Sequence, residues 1–208
     1  CATNLFVDHR GGASFGSAAK QELLERNGAE ISRRYPAYDD EVQRYVRDDP
    51  LTTARLALGL SWAAMQQEGP VPVSLAHALG GGAEDYLRSR IRADIAGGGA
   101  ALVLRVGQGY RWKLELHCAY GVTAGLTDDV DVVRALVGRL PQRHIIYSCG
   151  VGDRDAVTIP GLLLALAGQG EGALAGGAQP VEVLFHDFFP ISPSYTLLGE
   201  NSDYQGVP

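Results

Sequence analysis

Between about residues 71 and 189 the chain switches repeatedly between two hydrophobic periods. "VPVSLAHAL" is a short apolar run closed by "GGG", after which Leu87, Ile91 and Ile95 recur every fourth residue as one face of a helix. This predicts a strand, a tight turn and a helix. "AALVLRV" and "YRWKLEL" read as two strands joined through Gly107-Gln108-Gly109, as in a hairpin. In "TDDVDVVRALVGRL", Thr127 and two aspartates form an N-terminal cap ahead of Val133, Leu136, Val137 and Leu140 at helical spacing. "HIIYSCGVG" predicts the next strand and "PGLLLALAG" a helix that starts at Pro160. "PVEVLFHDFF" is then the last strand, apolar enough to be central in a parallel sheet.

Strands alternating with helices imply an α/β fold, a Rossmann-like and mostly parallel sheet flanked by helices. Ligands of such sheets gather at the carboxyl ends of the strands. His77, the glycine turn after it and His186 all fall at such ends.

Residues 1–70 are expected to form an N-terminal βα segment and a helix, ahead of a Rossmann-like domain at 71–208. "NLFVDHRGG" reads as a strand entering a glycine turn, echoing "SLAHALGGG", and Ala18 to Arg26 as a helix stopped by Asn27-Gly28. "YPAYDDEVQRYVRDDP" is polar and rich in aspartate. Leu51, Arg55, Leu58, Trp62 and Met65 then mark a helical stripe expected to pack into the core, ending at Gly69-Pro70.

Composition narrows the function classes. The chain is 46% hydrophobic and 20% charged, which suits a globular fold and not disorder. A net charge of -6, with 18 basic against 24 acidic residues, argues against a nucleic-acid partner. Cys1, Cys118 and Cys149 are far apart with no C-x-x-C spacing and read as reduced thiols of a cytoplasmic protein. "LALGLSWAAM" is too short to span a bilayer, so no transmembrane segment is expected, though peripheral attachment to the inner face of a membrane is allowed. A chain that starts at Cys1 and stops at Pro208 in a loop reads as a piece of a longer one.

Two stretches carry candidate chemistry. In "HALGGGAED" three glycines let the backbone approach a ligand, and the helix that follows offers free N–H groups in a positive end-field. Glu84 and Asp85 occupy its first turn and oppose an anion there. The same glycines can instead be only a tight connection. In "HDFFPISP", Pro190 and Pro193 stiffen the exit loop and hold His186, which can bond a hydroxyl or exchange a proton beside Asp187. That histidine can instead be a strand cap bonded to a backbone carbonyl. "GGASFG" at Gly11 to Gly16 has Ala13 where a dinucleotide fingerprint needs its second glycine, "GQGEGALAGG" leads into a strand, and no P-loop pattern occurs. No metal-ligand spacing occurs either, so neither a metal nor a cofactor is expected.

"HALGGGAEDYL" and, about a hundred residues later, "VEVLFHDFFPISPSYTLL" together resemble the N-terminal domain of GT-B glycosyltransferases of the large retaining family 4. The resemblance covers roughly 71–208; Ser192 stands where the family commonly has Cys. It implies the acceptor-binding half of a two-domain enzyme that transfers sugar from a nucleotide-sugar to a carbohydrate or glycan acceptor, with retention and no obligatory metal. The E-x7-E region that holds the donor belongs to a second domain. By the same resemblance Gly80, Gly81 and Gly82 face the donor's diphosphate and sugar, His186 bonds the donor sugar, and Asp187 lines the cleft as a second catalytic candidate. His77 and Glu84 complete the candidate substrate-binding set. Two other readings remain open from the residues: a nucleotide-cofactor oxidoreductase on the same sheet, and a non-catalytic α/β domain.

Overall fold

The computed structural model describes residues 17–192, 194–204 and 206. The expected strand "NLFVDHRGG", the Gly11–Gly16 turn, Cys1, His9 and Pro193 lie outside the described residues. The chain forms two compact units, Cys1–Pro50 and Leu51–Pro208.

The first unit contains α1 (Ser17–Arg34) and α2 (Tyr38–Asp48). The expected stop at Asn27-Gly28 does not occur, and α1 runs straight through it. A glycine in a helix costs about 1 kcal/mol, and beyond it Glu30 pairs with both Arg33 and Arg34 one turn on. The helix stops at Tyr35, because the residue before Pro36 is pushed out of helical geometry. The polar segment after it is itself helical, with Asp39, Asp40 and Glu41 in its first turn and Arg47 in its last, as the helix dipole favours.

The second unit is an α/β fold with a six-stranded, mostly parallel sheet. Its elements are α3 (Thr52–Gln66), β1 (Val71–His77), α4 (Gly82–Ala96), β2 (Ala101–Val106), β3 (Trp112–Cys118), β4 (Gly121–Thr127), α5 (Val130–Val137), β5 (Arg143–Tyr147), a 3-10 turn (Ala156–Thr158), α6 (Ile159–Leu166) and β6 (Val181–Val183). The strand order is β4-β3-β2-β1-β5-β6. β1 pairs in parallel with β2 and β5, β5 with β6, and the β2–β3 and β3–β4 pairs are antiparallel.

Alternating residues separate the two faces. Val73, Leu75, Leu102, Leu104, Leu114 and Ile145 meet α3, α5 and α6, whereas Ala76, Ala101 and Val103 meet Leu87 and Ile91 of α4. From β1 the chain crosses over α4 to β2 on one side, and α5 later returns it to β5 on the other. The carboxyl ends of β1 and β5 therefore flank a topological switch point, where open α/β sheets hold ligands.

Three expectations are corrected. The stripe Leu51, Arg55, Leu58, Trp62 and Met65, from the residue that precedes α3 onward, faces outward, with Met65 82% exposed, while Leu56, Leu60 and Ala63 are buried. Close approach selects the smaller face: a Cβ on Gly59 would stand 2.8 Å from Leu116, and one on Gly125 would stand 3.4 Å from Leu56. With α3 packed on β3 and β4 in this way, the compact unit begins at Leu51 and not at 71. The last strand is not central. β6 is a three-residue edge strand whose Val181 and Val183 are exposed, because the apolar side chains after Val183 lie in a loop and not in the sheet.

β4, between the second strand of the hairpin and α5, was not expected. No helix of the described residues is long and apolar enough to cross a membrane.

Candidate functional site

The loops leaving β1, β2, β5 and β6 share one edge of the sheet with the amino end of α4. Asp85 N bonds Gly81 O as the first intrahelical bond, and no side chain caps the turn, so the first N–H groups of α4 point outward. Gly80 has φ +81° and Gly81 has φ 87° with ψ -170°, a conformation that essentially only glycine adopts. Both are exposed, and a Cβ on Gly80, Gly81 or Gly82 would meet nothing within 4 Å. Crowding is therefore not what requires glycine; the backbone path is.

Glu84 does not oppose an anion here. It is 5% exposed and turned inward, where Arg105 of β2 donates to its Oε2 at 2.6 Å and its Oε1 at 3.0 Å, and Arg88 to Oε1 at 2.7 Å. Burial pushes the Glu84 carboxyl up, but these charge-assisted bonds outweigh it and hold the group below the usual range. Arg105 also donates to Glu115 on β3 and to the His77 carbonyl. Burial opposes ionisation of Glu115 as well, yet bonds from His117, Lys113 and Arg105 hold it far below the ordinary glutamate value.

These groups and the start of the glycine turn line a polar cavity of about 400 Å³. Its lining sets three cations, Arg88, Arg105 and Lys113, against two carboxylates, Glu84 and Glu115. His77, 8% exposed, accepts from Leu79 N at Nδ1, which places the ring's hydrogen on Nε2 as a donor.

His186 and Asp187 are adjacent in the chain and part in space. His186 is exposed, its Nδ1 lies 3.0 Å from the Ser148 carbonyl, and its ring packs edge-on against Tyr86 of α4 with centroids 6.2 Å apart. Donation to that carbonyl puts the hydrogen on Nδ1 and leaves Nε2 as an acceptor. Tyr86 is held in turn by Arg90, whose guanidinium lies 5.9 Å from its ring centroid and grips Glu182 with two bonds. Tyr86 stands one helical turn from Gly82, so His186 packs on the first half of α4.

Asp187 is 3% exposed. Its Oδ1 accepts from the Tyr147 hydroxyl at 2.5 Å and Phe189 N at 3.0 Å, and its Oδ2 accepts from Gly150 N at 2.8 Å. It ties the loop after β5 to the loop after β6 and has no free path to a substrate. Burial and this carboxylate together push the Tyr147 phenol far up, so it stays a donor. Cys149 beside them is buried, and burial pushes its thiol up to about 12, which makes it inert.

The structure thus brings together His77, Gly80, Gly81 and Glu84, and stacks His186 on Tyr86 of α4. It sets Asp187 apart beneath them. Arg105 was missed in the sequence; its signal was a lone arginine in the apolar run "AALVLRV", at the last position that faces α4. Tyr86 had no signal, because its role depends on a partner a hundred residues away. Among the described residues no group of three or more His, Cys, Asp or Glu could hold a metal ion. Comparison of the chain with known families, curated proteins and solved structures found no match.

Proposed function

We propose that this chain is the acceptor-side half of a glycosyltransferase that moves a sugar from a nucleotide-sugar to an acceptor hydroxyl, working with a donor-holding domain outside these 208 residues. The observation that carries the reading is the Gly80–Gly81 turn, exposed at the switch point in a glycine-only conformation beside a cavity with more cations than carboxylates. Glycine at such positions lets the backbone approach a ligand closely. The motifs of this turn and of His186 are those through which the sequence resembles retaining family 4 glycosyltransferases.

In the transfer, a bond forms between the acceptor oxygen and the anomeric carbon while the carbon–oxygen bond to the diphosphate breaks. The nucleoside diphosphate leaves with the electron pair, and the hydroxyl proton passes to the departing phosphate or to a base. Charge develops on the diphosphate. The N–H groups of α4's first turn, with Arg88 and Lys113 nearby, suit that charge. His186 presents Nε2 to accept from a donor-sugar hydroxyl, and His77 presents an Nε2–H donor. Asp187 is a positioning residue that holds the Ser148–Gly150 loop on which His186 rests.

The test is release of nucleoside diphosphate by the enzyme completed with its donor half, over a panel of UDP-, GDP- and dTDP-sugars with mono- and disaccharide acceptors. Release with one donor, abolished by Gly81→Ala, is the expected result. No release with any donor, or full release in Gly81→Ala, overturns the reading. Residues 1–208 alone should bind nucleotide-sugars no better than weakly, since the donor half holds the nucleotide; micromolar affinity by calorimetry contradicts this division. Saturable quenching of nicotinamide fluorescence on titration with NADH or NADPH would favour an oxidoreductase instead.

A further inference from the structure

The two edges of the sheet are built differently. β6 is three residues long, Pro180 stands before it, and its Glu182 is gripped by Arg90, all features that keep an edge strand from pairing further. β4, at the other edge, has none of them. It runs for seven residues, Gly121–Thr127, and neither it nor the Ala119–Tyr120 turn before it contains a proline or a charged side chain. Among the described residues no strand pairs with its outer side, which leaves a row of backbone N–H and C=O groups open. A Cβ on Gly125 would stand 3.4 Å from Leu56, so the odd-numbered positions face α3, and Val122, Ala124 and Leu126 face the other side of the sheet. There Val122 is 58% and Leu126 53% exposed. At the turn Tyr120 packs edge-on against Trp62 of α3, and both rings stay exposed, so the apolar border continues to the end of the strand.

We propose that β4 is an interface between two copies of this chain, paired antiparallel about a two-fold axis at Ala124 into one continuous sheet. This register pairs all seven residues, and any shift leaves strand ends unpaired. It sets Val122 opposite Leu126 of the second copy, twice by symmetry, with Ala124 opposite its own counterpart between them. On the α3 side Thr123 meets Gly125 and Gly121 meets Thr127, so no two bulky side chains collide. No like charges meet along the strand. An unrelated extended peptide could fill the backbone row, but the match of β4 to its own reverse, apolar to apolar and small to small, selects a second copy. Each copy carries one open edge and one guarded edge, so the association closes at a dimer and does not run on as a filament. The pairing does not depend on the glycosyltransferase reading.

Sedimentation of the 208-residue chain should show a dimer that dissociates on dilution. Val122→Lys puts a charge into both apolar pairs and should raise the dimer Kd about tenfold or more, with the far-UV circular dichroism of the parent, since the position is exposed. Cross-linking reads the register. Opposed Cα atoms of an antiparallel pair lie about 4.5–5.5 Å apart, within reach of a disulfide. Ala124→Cys should therefore oxidise to a covalent dimer beyond the level of the parent. Val122→Cys should not, because its two copies stand four strand positions, about 13 Å, apart. A monomeric parent, a dimer unchanged by Val122→Lys, or a covalent dimer from Val122→Cys and not from Ala124→Cys overturns the proposal. A monomer whose 121–127 amides resist hydrogen exchange also overturns it and assigns the edge to another segment of the chain. Should Val122→Lys lose the circular dichroism of the parent, the two cysteine variants decide alone.

Discussion

Replacement of Asp187 separates a structural carboxylate from a catalytic one. In Asp187→Ala three buried donors lose their acceptor: the Tyr147 hydroxyl, Gly150 N and Phe189 N. Hydrogen bonds to a charged group contribute about 1.5–3 kcal/mol each, but Tyr147 can turn and water can enter, so the sum is not reached. Each buried donor left without an acceptor costs about 1–3 kcal/mol, and with partial relaxation of the three we expect a total of about 3–5 kcal/mol. Asp187→Asn should cost about 2 kcal/mol: its Oδ1 can still serve Tyr147 and Phe189, but its amide would face Gly150 N, donor against donor. With a urea slope of about 2 kcal/mol per molar, Asp187→Ala should lower the unfolding midpoint, read by tryptophan emission, by about 1.5–2.5 M. Turnover per folded molecule should change far less than stability. An unchanged midpoint with lost turnover would refute the assignment and return Asp187 to the catalytic role the sequence suggested.

On the glycosyltransferase reading His186→Ala should show the opposite balance: an almost unchanged melting temperature, because the ring is exposed, and a loss of about 2.7–4 kcal/mol of transition-state stabilisation, or about a hundred- to thousandfold in turnover of the completed enzyme. A lower melting temperature with normal turnover would make it a strand cap. Gly81→Ala should destabilise by about 1–3 kcal/mol from backbone strain alone, since its Cβ meets nothing; urea unfolding within error of the parent would show the turn relaxes at no cost. Glu84 and Glu115 have folded values below the ordinary 4.5, so their contribution to stability is present above that pH and is lost as pH falls below it. Unfolding midpoints measured from about pH 6 to about pH 3 should therefore fall less steeply in Glu115→Gln; an equal slope would remove Glu115 from the acid transition.

Local pattern by itself determined most of the elements of the second unit. The 3.6-residue and two-residue periods placed β1, α4, β2, β3, α5, β5 and α6, and the cap was legible because Asp129 accepts from Asp131 N at the start of α5 as its sequence position requires. The glycine turn was legible for the same reason: positive φ is a property of a residue and its immediate neighbours. Four decisions needed the tertiary fold. α3 had two apolar faces, and only the approach permitted by Gly59 and Gly125 chose which to bury. β4 has little strand propensity, and its pairing with β3 supplies what its side chains do not. "PVEVLFHDFF" carries enough apolar residues for a central strand, but β6 stops after Val183 at the sheet's edge, since a parallel strand is extended by a neighbour and not by its own hydrophobicity. His186 and Asp187, one peptide apart, point to different surroundings, and Glu84 is neutralised by Arg105 from another strand. Charge, burial and hydrogen-bond partners are set by residues distant in sequence, which is why the strand ends that carry the candidate residues could be read from the chain and the partners of those residues could not.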